Sequence, residues 1–154
     1  MAERTRTRVL IPLSQSAGSS LPSDVALRAY MTTVFDRTTS LWKQRGKWQR
    51  LAKSVAFDPA KTTSSSKDNY VLNTRATEKT PIDANGDGTQ DSDFTGPYIE
   101  FLANGAARLD PGTGNDVVGV ADAIADASGN FTAKNKSLRT TVSIDPLSGG
   151  VIAK

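Results

Sequence analysis

Cysteine and histidine are both missing from the 154 residues. The first absence excludes a disulfide scaffold and a thiol nucleophile, and the two together exclude the usual zinc ligand sets. Without histidine the chain also lacks the commonest general base near neutral pH. Hydrophobic residues make up only 37% and aromatics 6%. The apolar runs are short, and none approaches the ~20 residues of a membrane helix. Met1-Ala2-Glu3-Arg4 leads straight into a polar-alternating segment, with no signal-peptide pattern. No Gly-rich phosphate loop precedes a helix. A hydrolase would have to pair carboxylates such as Asp58, Glu100 and Asp122, to which the spacing gives no common site. The expectation is a protein that is not an enzyme.

What is abundant is Thr, Ser, Gly and Asn. Short apolar runs between polar turns fit a small β-rich domain with long loops, and 154 residues fit a single globular domain over 1–154. The net charge of +3 hides an asymmetry: residues 1–80 carry 14 Lys/Arg against 6 Asp/Glu, and residues 81–154 carry 5 against 10. Two surfaces of opposite sign suit head-to-tail contacts between subunits, or a basic face turned to a polyanion.

Along the chain, Thr5–Ile11 reads as a strand ended by Pro12. Val25–Phe35 fits a strand or one helix face, and the β-branched and aromatic residues from Tyr30 to Phe35 favour the strand. Leu41–Leu51 reads as two short strands around a turn near Gly46, and Leu51–Phe57 continues to Pro59. Residues 60–97 form a long polar arm, broken by Tyr70-Val71-Leu72. Tyr98–Ala103, the Asn104-Gly105 turn and Ala106–Leu109 make a hairpin. Further strands are expected at Asp116–Ala121, Leu138–Ile144 and Val151–Ala153, with Ala121–Ala127 either a short helical turn or more strand. Many short strands joined by Gly/Asn/Pro turns indicate an antiparallel sandwich or a strongly bent sheet.

The most informative stretch is Asp83-Ala84-Asn85-Gly86-Asp87-Gly88-Thr89-Gln90-Asp91-Ser92-Asp93. Asp83, Asn85 and Asp87 occupy positions 1, 3 and 5 of a calcium loop. Gly88 stands at position 6, where the chain must turn sharply; Thr89 offers its carbonyl at 7, and Asp91 sits at 9. Position 12 is Phe94 rather than the bidentate Glu of an EF-hand. The spacing therefore predicts a calcium-type loop outside an EF-hand, with Asp93 as its last carboxylate. The plainer alternative is an acidic surface turn that binds nothing.

Four segments resemble a known family: Arg6–Ile11; Lys47–Asp58, with its Trp, then Leu, then Val-x-Phe; Tyr98–Gly105; and Val142–Val151. In this order they resemble the globular domain of H-type pseudopilins and FimT-like minor pilins, the GspH/FimT group of type II secretion and type IV pilus systems. The resemblance implies a mainly β, antiparallel sandwich-like pilin head with long loops, whose N-terminal helix is absent from this chain. It further implies a non-catalytic subunit that contacts other pilin or pseudopilin subunits. The subunit would be filament-associated, on the periplasmic or cell-surface face of the bacterial inner membrane, and tied to the membrane only through the missing helix. Calcium sites occur in the heads of the broader pseudopilin family.

Two alternatives come from the residues themselves. Lys43, Arg45, Lys47 and Arg50 interleave with Trp42 and Trp48, as on a DNA-binding surface where cations neutralise phosphates and rings stack on bases. The simpler reading turns both tryptophans inward and leaves the cations to solvent. Arg4, Arg6 and Arg8 share one face of their strand, for a neighbouring subunit or for solvent. The other alternative is a calcium-stabilised β-sandwich used for adhesion or carbohydrate binding.

Overall fold

The computed structural model describes residues 5–14, 17, 21–22, 24–58, 79–108, 116–126, 130–135, 139–145 and 147–153. Among the described residues there are thirteen strands: β1 (Thr7–Leu10), β2 (Ala29–Asp36), β3 (Leu41–Gln44), β4 (Gln49–Arg50), β5 (Val55–Phe57), β6 (Lys79–Asp83), β7 (Ser92–Thr95), β8 (Tyr98–Phe101), β9 (Ala107–Arg108), β10 (Asp116–Ala125), β11 (Phe131–Ala133), β12 (Arg139–Ile144) and β13 (Val151–Ala153). The protein is mainly β, and no described helix is long and apolar enough to cross a membrane.

The strands form two sheets. One runs β7-β6-β3-β2-β1-β8-β9, with β4 also on β2; the other runs β11-β10-β12-β13, with β5 also on β10. Pairing is antiparallel except between β3 and β6, which lie parallel. A parallel neighbour needs a long crossover. The chain supplies it by leaving β3, contributing β5 to the second sheet, and returning at β6.

The first sheet cannot be flat. Strands β7 and β8 are joined by Gly96-Pro97 alone, yet four strands lie between them in the sheet. Five flat spacings would part them by about 24 Å, and three residues of chain reach at most about 11 Å. The sheet therefore rolls up. Its concave side holds Leu10, Met31, Ile82, Phe94 and Tyr98, with Ala17 packed in and Leu21 and Trp48 at the margin. The convex side shares a second core with the other sheet: Ile99 and Ala107 pack with Ala56, Phe57, Val118, Ala121 and Ile144.

The strand expected at Val25–Phe35 begins later. Residues 26–28 are turns, with Leu27 held at φ 59° and fully buried, and β2 starts at Ala29. The alternative of a helical turn at Ala121–Ala127 is settled for Ala121–Ala125, which extends β10. The polar arm 60–97 is not all loop, since β6 and β7 lie inside it; its Tyr70-Val71-Leu72 segment is outside the described residues.

Gly149, in the β12–β13 turn, ties the two sheets together. Its φ is +67°, and a Cβ there would meet the Gly105 carbonyl oxygen, in the β8–β9 turn, at 2.3 Å. That contact is between main chains, so no side-chain rotation relieves it. Gly149→Ala is expected to lower the midpoint of urea unfolding and to raise hydrogen exchange in both turns. An unchanged midpoint would mean that the two turns do not touch.

Candidate functional site

The calcium-type stretch is the connection of the β6–β7 hairpin. Asp83 ends β6 completely buried, and its carboxylate accepts from the backbone N–H of Gly86 at 2.6 Å and of Gly88 at 3.0 Å. Both glycines have positive φ, 83° and 89°, which lets the chain turn twice within three residues. Asn85 Oδ1 accepts from the Asp87 N–H at 2.9 Å, and Asp87 Oδ1 accepts from the Thr89 N–H at 2.8 Å and from its hydroxyl. These bonds, the Thr89 hydroxyl first, hold the Asp87 carboxyl below the usual carboxylate range. Asp91 Oδ2 accepts from the Ala84 N–H at 2.7 Å.

Asp93 stands apart. It accepts from the Gln90 side chain at 2.7 Å and lies 3.5 Å from Lys79. Phe94, at the position where an EF-hand has its Glu, is 2% exposed and belongs to the core on the concave side of the first sheet. The hairpin context explains the missing ligand: the chain must re-enter the sheet there.

The donors suit calcium in kind. A carboxylate has about four acceptor sites, and two N–H bonds leave Asp83 with others. Among the described residues, however, no three acidic side chains are gathered as a metal would hold them. The loop is folded on its own N–H groups, and a cation would have to draw Asp87, Asp91 and Asp93 inward.

The basic segment is not a hairpin, since β3 and β4 both pair with β2, and its residues come out differently one by one. Trp42 is 3% exposed, and Trp48 packs beside Phe94, ring centroids 6.5 Å apart. Neither ring stands free as a stacking platform. Lys43 pairs with Asp36 at 2.7 Å, and Arg50 pairs with both oxygens of Asp24. Arg45 and Lys47 are exposed on the turn.

The hydrogen bond from Lys43, then the Thr38 N–H, lowers the Asp36 carboxyl to about 2. Because the folded pKa lies below the ordinary 3.8, the pair's contribution is complete above pH 3.8 and disappears as pH falls through about 2. A carbon-detected titration of Asp36 should find a midpoint near 2, moving up towards 3.8 in Lys43→Met; an ordinary midpoint in the parent protein would exclude the pair.

The arginines of the first strand are a correction. They share a face, but for Arg6 and Arg8 that face is the concave side of the rolled first sheet. Arg8 is 7% exposed, and its Nε donates to Glu100 Oε2 at 2.9 Å and its Nη1 to Thr80 Oγ1 at 2.8 Å. Its guanidinium lies 4.2 Å from the Trp42 ring centre and 3.9 Å from that of Tyr98. Arg6 Nε donates to Glu100 Oε1 at 2.7 Å. Glu100 is fully buried. Neither solvent nor a neighbouring subunit is needed to account for the Arg6 and Arg8 charges; Arg4 is outside the described residues. Asp58 is buried at the end of β5 and Asp122 lies on β10, in the other sheet from Glu100.

One feature is not among the sequence expectations. An open apolar groove of about 210 Å³ lies between the two sheets, lined by Val9, Ile11 and Ile99 from one side and Phe57, Val118, Val120 and Val142 from the other. Tyr30 and Leu51 complete it. Val9, Tyr30, Leu51, Val120 and Val142 keep part of their surface accessible. The signal available was the parity of β1: with Arg6 and Arg8 turned inward, Val9 and Ile11 must face the other way.

No family model matches the chain, and no curated protein and no solved structure shows significant similarity to it.

Proposed function

We propose that this chain is the globular head of a pseudopilin or minor pilin, a non-catalytic filament subunit with an apolar helix joined upstream of β1. The observation that carries the reading is the apolar groove. An open apolar groove framed by two sheets offers a surface on which another element can pack. β1 itself forms one wall, so a segment entering just before it arrives beside the groove. A helix presenting one apolar stripe would fill it and leave its other side for neighbouring helices in a filament. The four segments that resemble the GspH/FimT group support the same reading, and the location on the periplasmic or cell-surface side goes with it.

The test is a photo-crosslinking residue in place of Tyr30 in the full-length protein in its source cell. The expected product joins Tyr30 to an apolar segment upstream of residue 5. Absence of any such product, with the protein folded and present, would remove the proposal.

In this reading calcium is a stabiliser of the β6–β7 loop through Asp83, Asn85, Asp87, Thr89, Asp91 and Asp93. Binding to the folded form alone raises stability by about 2.7 kcal/mol at a hundredfold excess over Kd. A millimolar calcium titration should raise the Tm of the parent protein and leave that of Asp87→Ala unmoved. An equal rise in both would dispose of this ligand set.

A further inference from the structure

A second cavity, of about 580 Å³, lies beside the turn that leads into β2. It is lined by Arg28, Lys53, Ser54, Ile124, Ala125 and Lys134. Three cations come from three separate parts of the chain: the turn before β2, the turn before β5, and the residue after β11. Among the described residues, none of the three has a carboxylate partner. Asp24, which senses Arg28, is already taken by the two-pronged pair with Arg50, the main cause of its lowered pKa. Ile124 is 56% exposed beside these charges. A concave surface that combines unpaired cations, a hydroxyl and an apolar floor suits an acidic peptide better than a bare ion.

The molecule carries such a peptide itself. The turn Ala84–Asp91 is exposed apart from Gly88; it carries Asp87 in its middle and Asp91 at its base, where the Asp91 N–H donates to the Ile82 carbonyl. It lies against the turn that follows β2, since a Cβ on Gly88 would sit 3.3 Å from Thr39 Cγ2. Arg28 immediately precedes the eight-residue β2. By register Asp83 is level with Lys43 and Val34, and the loop's base at Ala84 and Ser92 lies beside Met31, yet no residue of the loop lines the cavity. The loop does not fill its own cavity, and its exposed residues face outward, where a second copy can meet them.

We propose that the cavity lined by Arg28, Lys53 and Lys134 receives the acidic β6–β7 loop of another copy of this chain. The contact is heterologous: different surfaces meet, and the vacant loop and cavity at the two ends of a pair remain available for more copies. It uses neither the apolar groove nor an upstream segment, so it stands or falls separately from the filament reading.

The experiment is sedimentation velocity on the purified chain in chelator. It compares about 0.01 M salt, where the Debye length is about 30 Å, with about 1 M, where it is about 3 Å. The parent protein should associate with rising concentration at low salt and be monomeric at high salt. Two variants test the two surfaces: Lys53→Gln with Lys134→Gln, and Asp87→Asn with Asp91→Asn. All four side chains are exposed, and Asn keeps an oxygen for the loop's N–H bonds. Each double variant alone should lose roughly tenfold or more in its association constant. An equal mixture of the two should recover a dimer that grows no further, because only one productive contact remains. A monomeric parent at low salt, variants that associate like the parent, or a mixture that stays monomeric would each overturn the proposal.

Discussion

Glu100→Ala is expected to cost about 3–5 kcal/mol of unfolding free energy at neutral pH, the size found when one partner of a buried ion pair is removed. The reason is Arg8. It stays on the concave side of the sheet between Trp42 and Tyr98, with Thr80 Oγ1 as its remaining side-chain hydrogen-bond partner among the described residues. Arg6 fares better, because its side chain is 34% exposed and reaches water. The pair itself need not be strongly stabilising, since its Coulomb energy is spent on desolvating both ions. Arg8→Met combined with Glu100→Leu should therefore recover most of the loss. Urea unfolding of the three proteins decides the matter. A loss below about 1 kcal/mol in Glu100→Ala would mean that Arg8 finds solvent without unfolding.

The second large effect concerns the groove, and it depends on which protein is measured. In the isolated head, Val9→Asp with Val120→Asp should cost on the order of 1 kcal/mol, because both positions keep access to water. In the full-length protein the same pair places two carboxylates against the proposed helix, where a buried, unpaired charge is far more costly. The expected result is a folded head that no longer enters filaments. Filament content measured by shearing and immunoblotting reads this out. Normal incorporation of the double variant would show that the groove is not where the helix packs.

Much of the first sheet was legible. Thr5–Ile11, Leu41–Leu51 and Tyr98–Ala103 are strands or strand pairs because β-branched and aromatic residues alternate there between Gly, Asn and Pro turns. The β6–β7 pair was hidden for identifiable reasons. Lys79-Thr80-Pro81-Ile82-Asp83 has one aliphatic residue, and its proline argues against a strand. Thr80 and Asp83 are nevertheless buried, because the side chain of Arg8 and the N–H groups of the loop satisfy them. The acidic loop was recognisable from its spacing, and Phe94 carried the clue to its setting. An aromatic residue where a calcium ligand belongs is a residue returning to a core.

The basic residues were the least legible. Charge on an alternating strand ordinarily faces water, and local pattern cannot announce a counter-ion 92 residues away from Arg8. Glu100 stands opposite Arg8 because β8 pairs with β1, a partnership between strands far apart in the chain that no local pattern announces. The groove follows from the same fact. Once Arg6 and Arg8 point inward, the apolar residues of β1 are committed to the outside.

The central claim is that this domain works as the head of a longer filament subunit. The most direct test is the N-terminal sequence and intact mass of the native protein taken from its source cell. The account predicts a chain that starts upstream of Met1, opens on a processed and methylated residue, and runs through an apolar segment into Thr5–Leu10. A native chain that begins at Met1 would contradict it.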